Sequence, residues 1–265
     1  MRVWVFGGTA GIGKAVAQIY AARGEDVLCL ARRASDIAGV RSERLDLDQP
    51  GSMVGNAVER LLLAEGLDPD DRELRDSVLS GETQISSFRK RWFLSKRGAP
   101  DLAIVSSGIG AYIRQDLWRD DWWTDSRGAR HAGINTIFRV NAISRMWAAN
   151  ELIRAMRRKR SGKVVLIGSR CSTRGAHALE VYAASHAALR GYVLSACRHP
   201  AKRGVTVGLV EVGWTLTPMT ANLAPHVKSA IERELGKMMT AEQAAEQIVS
   251  ACERITAGEI LEIGK

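Results

Sequence analysis

Arg2-Val3-Trp4-Val5-Phe6 runs without a break into Gly7-Gly8-Thr9-Ala10-Gly11-Ile12-Gly13, and an amphipathic stretch over 12–23 follows. The first five residues are mostly β-branched or aromatic and read as a buried strand. Glycines then permit a tight turn, and the apolar spacing beyond it reads as a helix. At such a junction a phosphate can approach the bare backbone. The helix N-terminus offers it unpaired N–H groups and positive potential. Gly7, Thr9, Gly11, Ile12 and Gly13 are therefore candidate phosphate binders. A turn with no ligand is the competing reading, and the place of the glycines between first strand and first helix speaks against it.

The rest of the chain continues the alternation. Strands are expected over 2–6, 26–31, 43–46, 101–105, 163–168, 205–211 and 259–262, with helix-length stretches such as 49–65 between most of them. Strands alternating with helices imply βαβ units. Right-handed crossovers then put helices on both faces. The expected fold is α/β, a doubly wound Rossmann-type seven-stranded parallel sheet, in one domain over 1–265. Residues 66–98 interrupt the pattern, because αβ connections usually span about 2–6 residues. Asp68-Pro69 reads as a helix start, and 83–94 as a second helix. A helical-hairpin insertion serving packing or association is expected there.

Composition narrows the class. Of 265 residues, 46% are hydrophobic and 25% charged, which suits a globular domain and excludes a disordered or fibrous chain. No run approaches the ~20 apolar residues of a membrane span. No charged leader followed by an apolar run opens the sequence. Cys29, Cys171, Cys197 and Cys252 are widely spaced and form no metal pattern, so buried thiols in a cytoplasmic protein and no metal site are expected. The formal net charge of +9 suits anionic ligands. Basic residues cluster over 89–97 and 154–163 without a nucleic-acid-binding signature, and the second cluster reads as a helix end.

The Gly-x-x-x-Gly-x-Gly spacing resembles that of the short-chain dehydrogenase/reductase family, and further stretches match it in order. Leu30-Ala31-Arg32-Arg33 ends the second strand. Ala31 stands where the family's NAD-binding members have an acid, and Arg32, with Arg33, looks like the arginine that pairs with the 2′-phosphate of NADP. Asp46 and Leu47 resemble the residues beside the adenine. Val105-Ser106-Ser107-Gly108 takes the place of an Asn-Asn-Ala-Gly stretch and keeps only the glycine. Asn141 matches an asparagine that holds a water of the proton relay. Val212-Gly213-Trp214-Thr215-Leu216-Thr217 stands for Pro-Gly-x-x-x-Thr, and Gly213 and Thr217 are placed to hold the nicotinamide carboxamide. The resemblance covers the chain apart from 66–98. It implies NADP(H), a small-molecule substrate and a homo-oligomer, dimer or tetramer, with no nucleic acid or membrane partner.

The resemblance also assigns the chemistry. Tyr182 follows Ser169 by thirteen residues, and His186 follows Tyr182 by four. Tyr182 would give or take a proton as hydride moves at a carbonyl carbon, and Ser169 would hold the carbonyl oxygen. The family pattern reads Tyr-x-x-x-Lys, whereas this chain has His186 where the lysine stands. A tyrosine of ordinary pKa near 10 needs a neighbouring cation to ionise. His186 supplies one only if its pKa is raised, and a lysine at 186 is then expected to raise turnover or leave it unchanged. Two other functions compete: a cofactor-binding protein with little turnover, acting as sensor or assembly partner, and a non-redox proton-transfer enzyme. Trp118, Trp122, Trp123 and Trp214 are candidates for an apolar substrate wall or for core packing.

Overall fold

The computed structural model describes residues 1–34, 36–45, 98–110, 123–124, 130–176, 179–221, 223 and 225–264. Asp46, Leu47, the expected helix over 49–65, the hairpin expected within 66–98, Trp118 and Trp122 lie outside the described residues. The elements are β1 (Arg2–Phe6), α1 (Gly11–Ala22), β2 (Asp26–Ala31), β3 (Arg41–Arg44) and β4 (Leu102–Val105), then a helical stretch in three parts. It runs through a short helix Ile134–Phe138, a π-helical turn Arg139–Ile143 and α2 (Ser144–Lys159). After these come β5 (Gly162–Ser169), a helical turn Cys171–Arg174, α3 (Glu180–Ala196), β6 (Val205–Val212), α4 (Pro225–Leu235), α5 (Ala241–Arg254) and β7 (Ile260–Ile263).

The seven strands form one parallel sheet in the order β7-β6-β5-β4-β1-β2-β3. The order reverses between β1 and β4, and in such sheets ligands bind at the carboxyl ends beside that reversal. Phe6 pairs with Leu30 on one side and Val105 on the other, so the glycine turn leaves the sheet there. Further along, Ser169 pairs with Val212.

Side-chain alternation along β1 builds a core on each face. Trp4 and Phe6 pack with Leu152 and Met156 of α2 and Leu189 and Val193 of α3. Val3 and Val5 pack with Val16 and Tyr20 of α1 and Ile248 and Cys252 of α5. The basic residues Arg157, Arg158 and Lys159 occupy the last turn of α2, as expected of a helix end.

One strand departs from the sequence reading. β3 is Arg41–Arg44, not 43–46. Among the described residues it is the sheet edge and pairs with β2 alone, which suits its charged residues. Leu45, within the expected range, packs into the core just past the strand. Among the described residues, no helix is long and apolar enough to cross a membrane.

Candidate active site

A cleft of about 460 Å³ opens at the carboxyl ends of the central strands. The glycine turn forms one wall. Gly7 has φ +79°, and a Cβ there would lie 2.7 Å from Ser107 Cα. A Cβ on Gly13 would lie 2.3 Å from the Gly7 carbonyl oxygen. Neither position accepts a side chain, and the bare turn is what leaves room for a ligand beside Thr9, Gly11 and Ile12. At the start of α1, Ala10 caps no N–H with its side chain, and the first turn holds no acid. Neither the cap residue nor the first turn competes for an anion there.

Arg32 and Arg33, both exposed, line the cleft next to Ala31. Ser106, Ser107 and Gly108 line it from the end of β4. The lining includes Arg145, Arg170 and Arg174 as well, and no carboxylate among the described residues. The glycine cradle and this positive lining fit an anionic dinucleotide. Among the described residues no group of His, Cys, Asp or Glu could hold a metal ion.

Asn141 sits in the π-helical turn and is fully buried. Its Nδ2 donates to the Ile109 carbonyl at 2.9 Å, and its Oδ1 accepts from the Ile109 N–H at 2.8 Å. The side chain thus bolts the loop after β4 to the helical stretch. Gly108 lets the two approach, since a Cβ on it would lie 3.3 Å from Oδ1. Four residues on, Arg145 is also buried. Its guanidinium donates to the carbonyls of Val105 (2.9 Å), Ile167 and Asn141 (3.4 Å).

Ser169 is the last residue of β5, and Tyr182 and His186 lie one turn apart on α3. All three line the cleft. The Tyr182 and His186 rings are 4.4 Å apart between centroids and tilted by 46°. Burial pushes the Tyr182 hydroxyl up to about 12, a hydrogen bond with Ser169 and the Arg145 charge pulling the other way. His186 is 4% exposed, and neither ring nitrogen has a partner. Burial first, and then the Arg145 charge, hold its pKa well below the ordinary value. A neutral imidazole results, so the condition under which His186 would supply a cation is not met.

The opposite wall comes from the segment after β6. Gly213, Trp214, Thr217 and Met219 line the cleft. Threonines hold this loop: Thr220 Oγ1 donates to the Thr215 carbonyl at 2.7 Å and accepts from the Thr217 N–H at 3.0 Å. Trp214 also packs on Leu223, Ile231 and Met238, so it serves both core and wall. Behind Ser169, the chain is braced twice. Glu211, fully buried, accepts from Ser172 at 2.5 Å and pairs with Arg190 at 2.7 Å. Arg170 pairs with Glu262 of β7 at 3.2 Å and donates to the Gly264 carbonyl. All four cysteines are free, and Cys29, Cys197 and Cys252 are buried. Cys171 departs from the expected burial, being half-buried and part of the cleft lining, because it follows the strand end that forms the site.

Sequence reasoning passed over Arg145, Arg170 and Thr220. For Arg145 the spacing of four from Asn141 hints at a shared helix face but carries no sign of burial.

Residues 124–228 match the family described as short chain dehydrogenase. The chain is 27% identical over 227 residues to 3-oxoacyl-(acyl-carrier-protein) reductase FabG of Escherichia coli strain K12, covering 86% of this chain and 78% of that one. It is 27% identical to carbonyl reductase family member 4 of Xenopus tropicalis, over 83% of this chain and 77% of that one. A solved structure described as ribose-5-phosphate isomerase from Brucella melitensis 16M superposes with a TM-score of 0.71 at 19% identity, over 99% of this chain and 90% of that one, a likeness of fold alone.

Proposed function

Because the chain belongs to the short-chain dehydrogenase/reductase family, we propose that it interconverts a carbonyl and an alcohol on a small, partly apolar substrate with NADP(H). The observation that carries this reading is the convergence of Ser169 and Tyr182 on the cleft that the glycine turn opens. The printed names of two relatives, a 3-oxoacyl reductase and a carbonyl reductase, support a carbonyl substrate.

A nicotinamide held in this cleft would supply or accept the hydride. The chain's own residues do the rest. The turn Gly7–Gly13 and the start of α1 hold the pyrophosphate, and Arg32 with Arg33 holds a 2′-phosphate where Ala31 offers no acid to a ribose hydroxyl. Gly213 and Thr217 hold the carboxamide. Ser169 donates to the carbonyl oxygen. Tyr182 delivers the proton to that oxygen in reduction and removes it in oxidation. His186, neutral with two unpartnered nitrogens, serves as a hydrogen-bonding partner for a ribose hydroxyl. Leu179, Trp214 and Met219 give the substrate an apolar wall. Ile143 and Leu194 are large apolar residues exposed on the helical layer, which supports a homo-oligomer, and free thiols support a cytoplasmic setting.

A panel of ketones and alcohols with NADPH, NADP⁺, NADH and NAD⁺ tests the reading. The expected result is turnover with the phosphorylated cofactor, lost by roughly 10²–10⁴-fold in Tyr182→Phe while cofactor binding persists. Full activity in Tyr182→Phe refutes the mechanism. The second reading, a cofactor-binding protein with little turnover, is favoured by the high Tyr182 pKa and the neutral His186. Tight cofactor binding with no turnover on any substrate selects it.

A further inference from the structure

A tyrosine that must release its proton needs a cation nearby, and the residue one turn along its helix is a neutral histidine. Of the arginines that line this cleft, one is buried with no acid partner among the described residues. Arg145 is 1% exposed and lines the same cleft as Ser169, Tyr182 and His186. It reaches the site from the start of α2, which packs with α3 on the same face of the sheet. Its hydrogen bonds go to three backbone carbonyls, and no carboxylate among the described residues pairs with it. A buried guanidinium with no acid is costly, and its field is not cancelled locally. Burial pulls its pKa to about 10, which still leaves it charged at neutral pH.

We infer that Arg145 is the positioning cation of this site, supplying from the Asn141 helix the positive charge that favours the Tyr182 phenolate, in place of a lysine at position 186. The inference rests on Tyr182 being the acid/base. Three carbonyls, from β4, β5 and the π-helical turn, hold the guanidinium in place, so its charge does not depend on cofactor or substrate. The same charge favours proton loss from both neighbours, toward a charged phenolate in one and a neutral imidazole in the other. It pulls the Tyr182 hydroxyl down and pushes the His186 proton off. It also claims the Asn141 carbonyl directly. A lysine at 186 would therefore meet a cation already present, and on this inference His186→Lys should lower turnover rather than raise it or leave it unchanged, because two buried like charges disfavour each other.

The test needs neither cofactor nor substrate. Difluorotyrosine at position 182, whose phenol ionises at lower pH than tyrosine, is titrated by ¹⁹F NMR in the otherwise unchanged chain and in Arg145→Gln, Arg145→Met, Arg145→Lys and Arg145→Met with His186→Lys. Among the described residues the groups acting on that phenol are Ser169, Cys171, Arg145 and His186, so the other three stay constant in the single variants. Removing the charge should raise the phenol pKa by about one unit or more, a tenfold loss of phenolate at fixed pH. Arg145→Lys and the double variant should bring it back. Glutamine keeps a hydrogen-bonding head in place, so it separates charge from packing if methionine disturbs the fold. An unmoved phenol pKa in a folded neutral variant overturns the inference. Lack of turnover in the parent protein would instead strike the proposed reaction and leave this result intact.

Discussion

Arg32 stands exposed at the carboxyl end of β2, beside an alanine rather than an acid. A charge-assisted phosphate contact is worth roughly 1.5–3 kcal/mol. Arg32→Ala should therefore erase about a ten- to hundredfold preference for NADPH over NADH, read by calorimetry of both cofactors. Equal affinities in the parent protein would sink the assignment. His186 carries a second consequence at this scale. Its pKa is depressed in the folded protein, so below about pH 6.5 the unfolded chain binds a proton that the folded chain refuses. Stability should fall with pH in that window, and His186→Gln should flatten the fall, as followed by urea unfolding at pH 5 and pH 7.5. An unchanged slope in the variant would mean that the imidazole charges freely in place. Of these residues, Arg32 was legible because its meaning is local, at the end of a strand beside a glycine turn. Arg145 was not, because an arginine among helical residues reads as a solvent-facing cation until the packing of two neighbouring strand ends shows it buried.

At the scale of elements, the π-helical turn does the most for the site. It puts Asn141 where its amide answers both backbone groups of Ile109. Asn141→Ala would leave those groups without their partner, at a cost of about 2 kcal/mol or more. A loss of this size should lower the melting temperature by several degrees and loosen the loop carrying Ser106, Ser107 and Gly108, read as weaker cofactor binding. A variant that melts and binds like the parent would show the contact to be dispensable. The sequence made the buried strands plain, since β1, β2, β5 and β6 are near-continuous apolar runs. It misplaced β3 because an edge strand is polar, and polarity hides a strand from a reading based on burial. The π turn left no mark in the apolar spacing, since a single wide turn shifts the pattern by only one residue.

At the scale of the whole molecule, the two edges of the sheet differ in what they touch. β3 is a charged margin, whereas β7 holds Arg170, the residue that follows Ser169, through Glu262 and the Gly264 carbonyl. Opening of β7 releases Arg170 and so disturbs the end of β5, where the substrate would be held. Binding in the cleft and closure of β7 are then linked, and whatever favours one must favour the other by the same free energy. The outermost strand becomes a distant gauge of occupancy. Backbone amides of Ile260–Ile263 should exchange with deuterium more slowly when a dinucleotide is bound, by at most the factor 1 + [L]/Kd. Glu262→Ala should speed their exchange in the free protein and weaken the dependence on ligand. Identical exchange at these amides with and without saturating ligand would show that the edge strand opens without the site being aware of it.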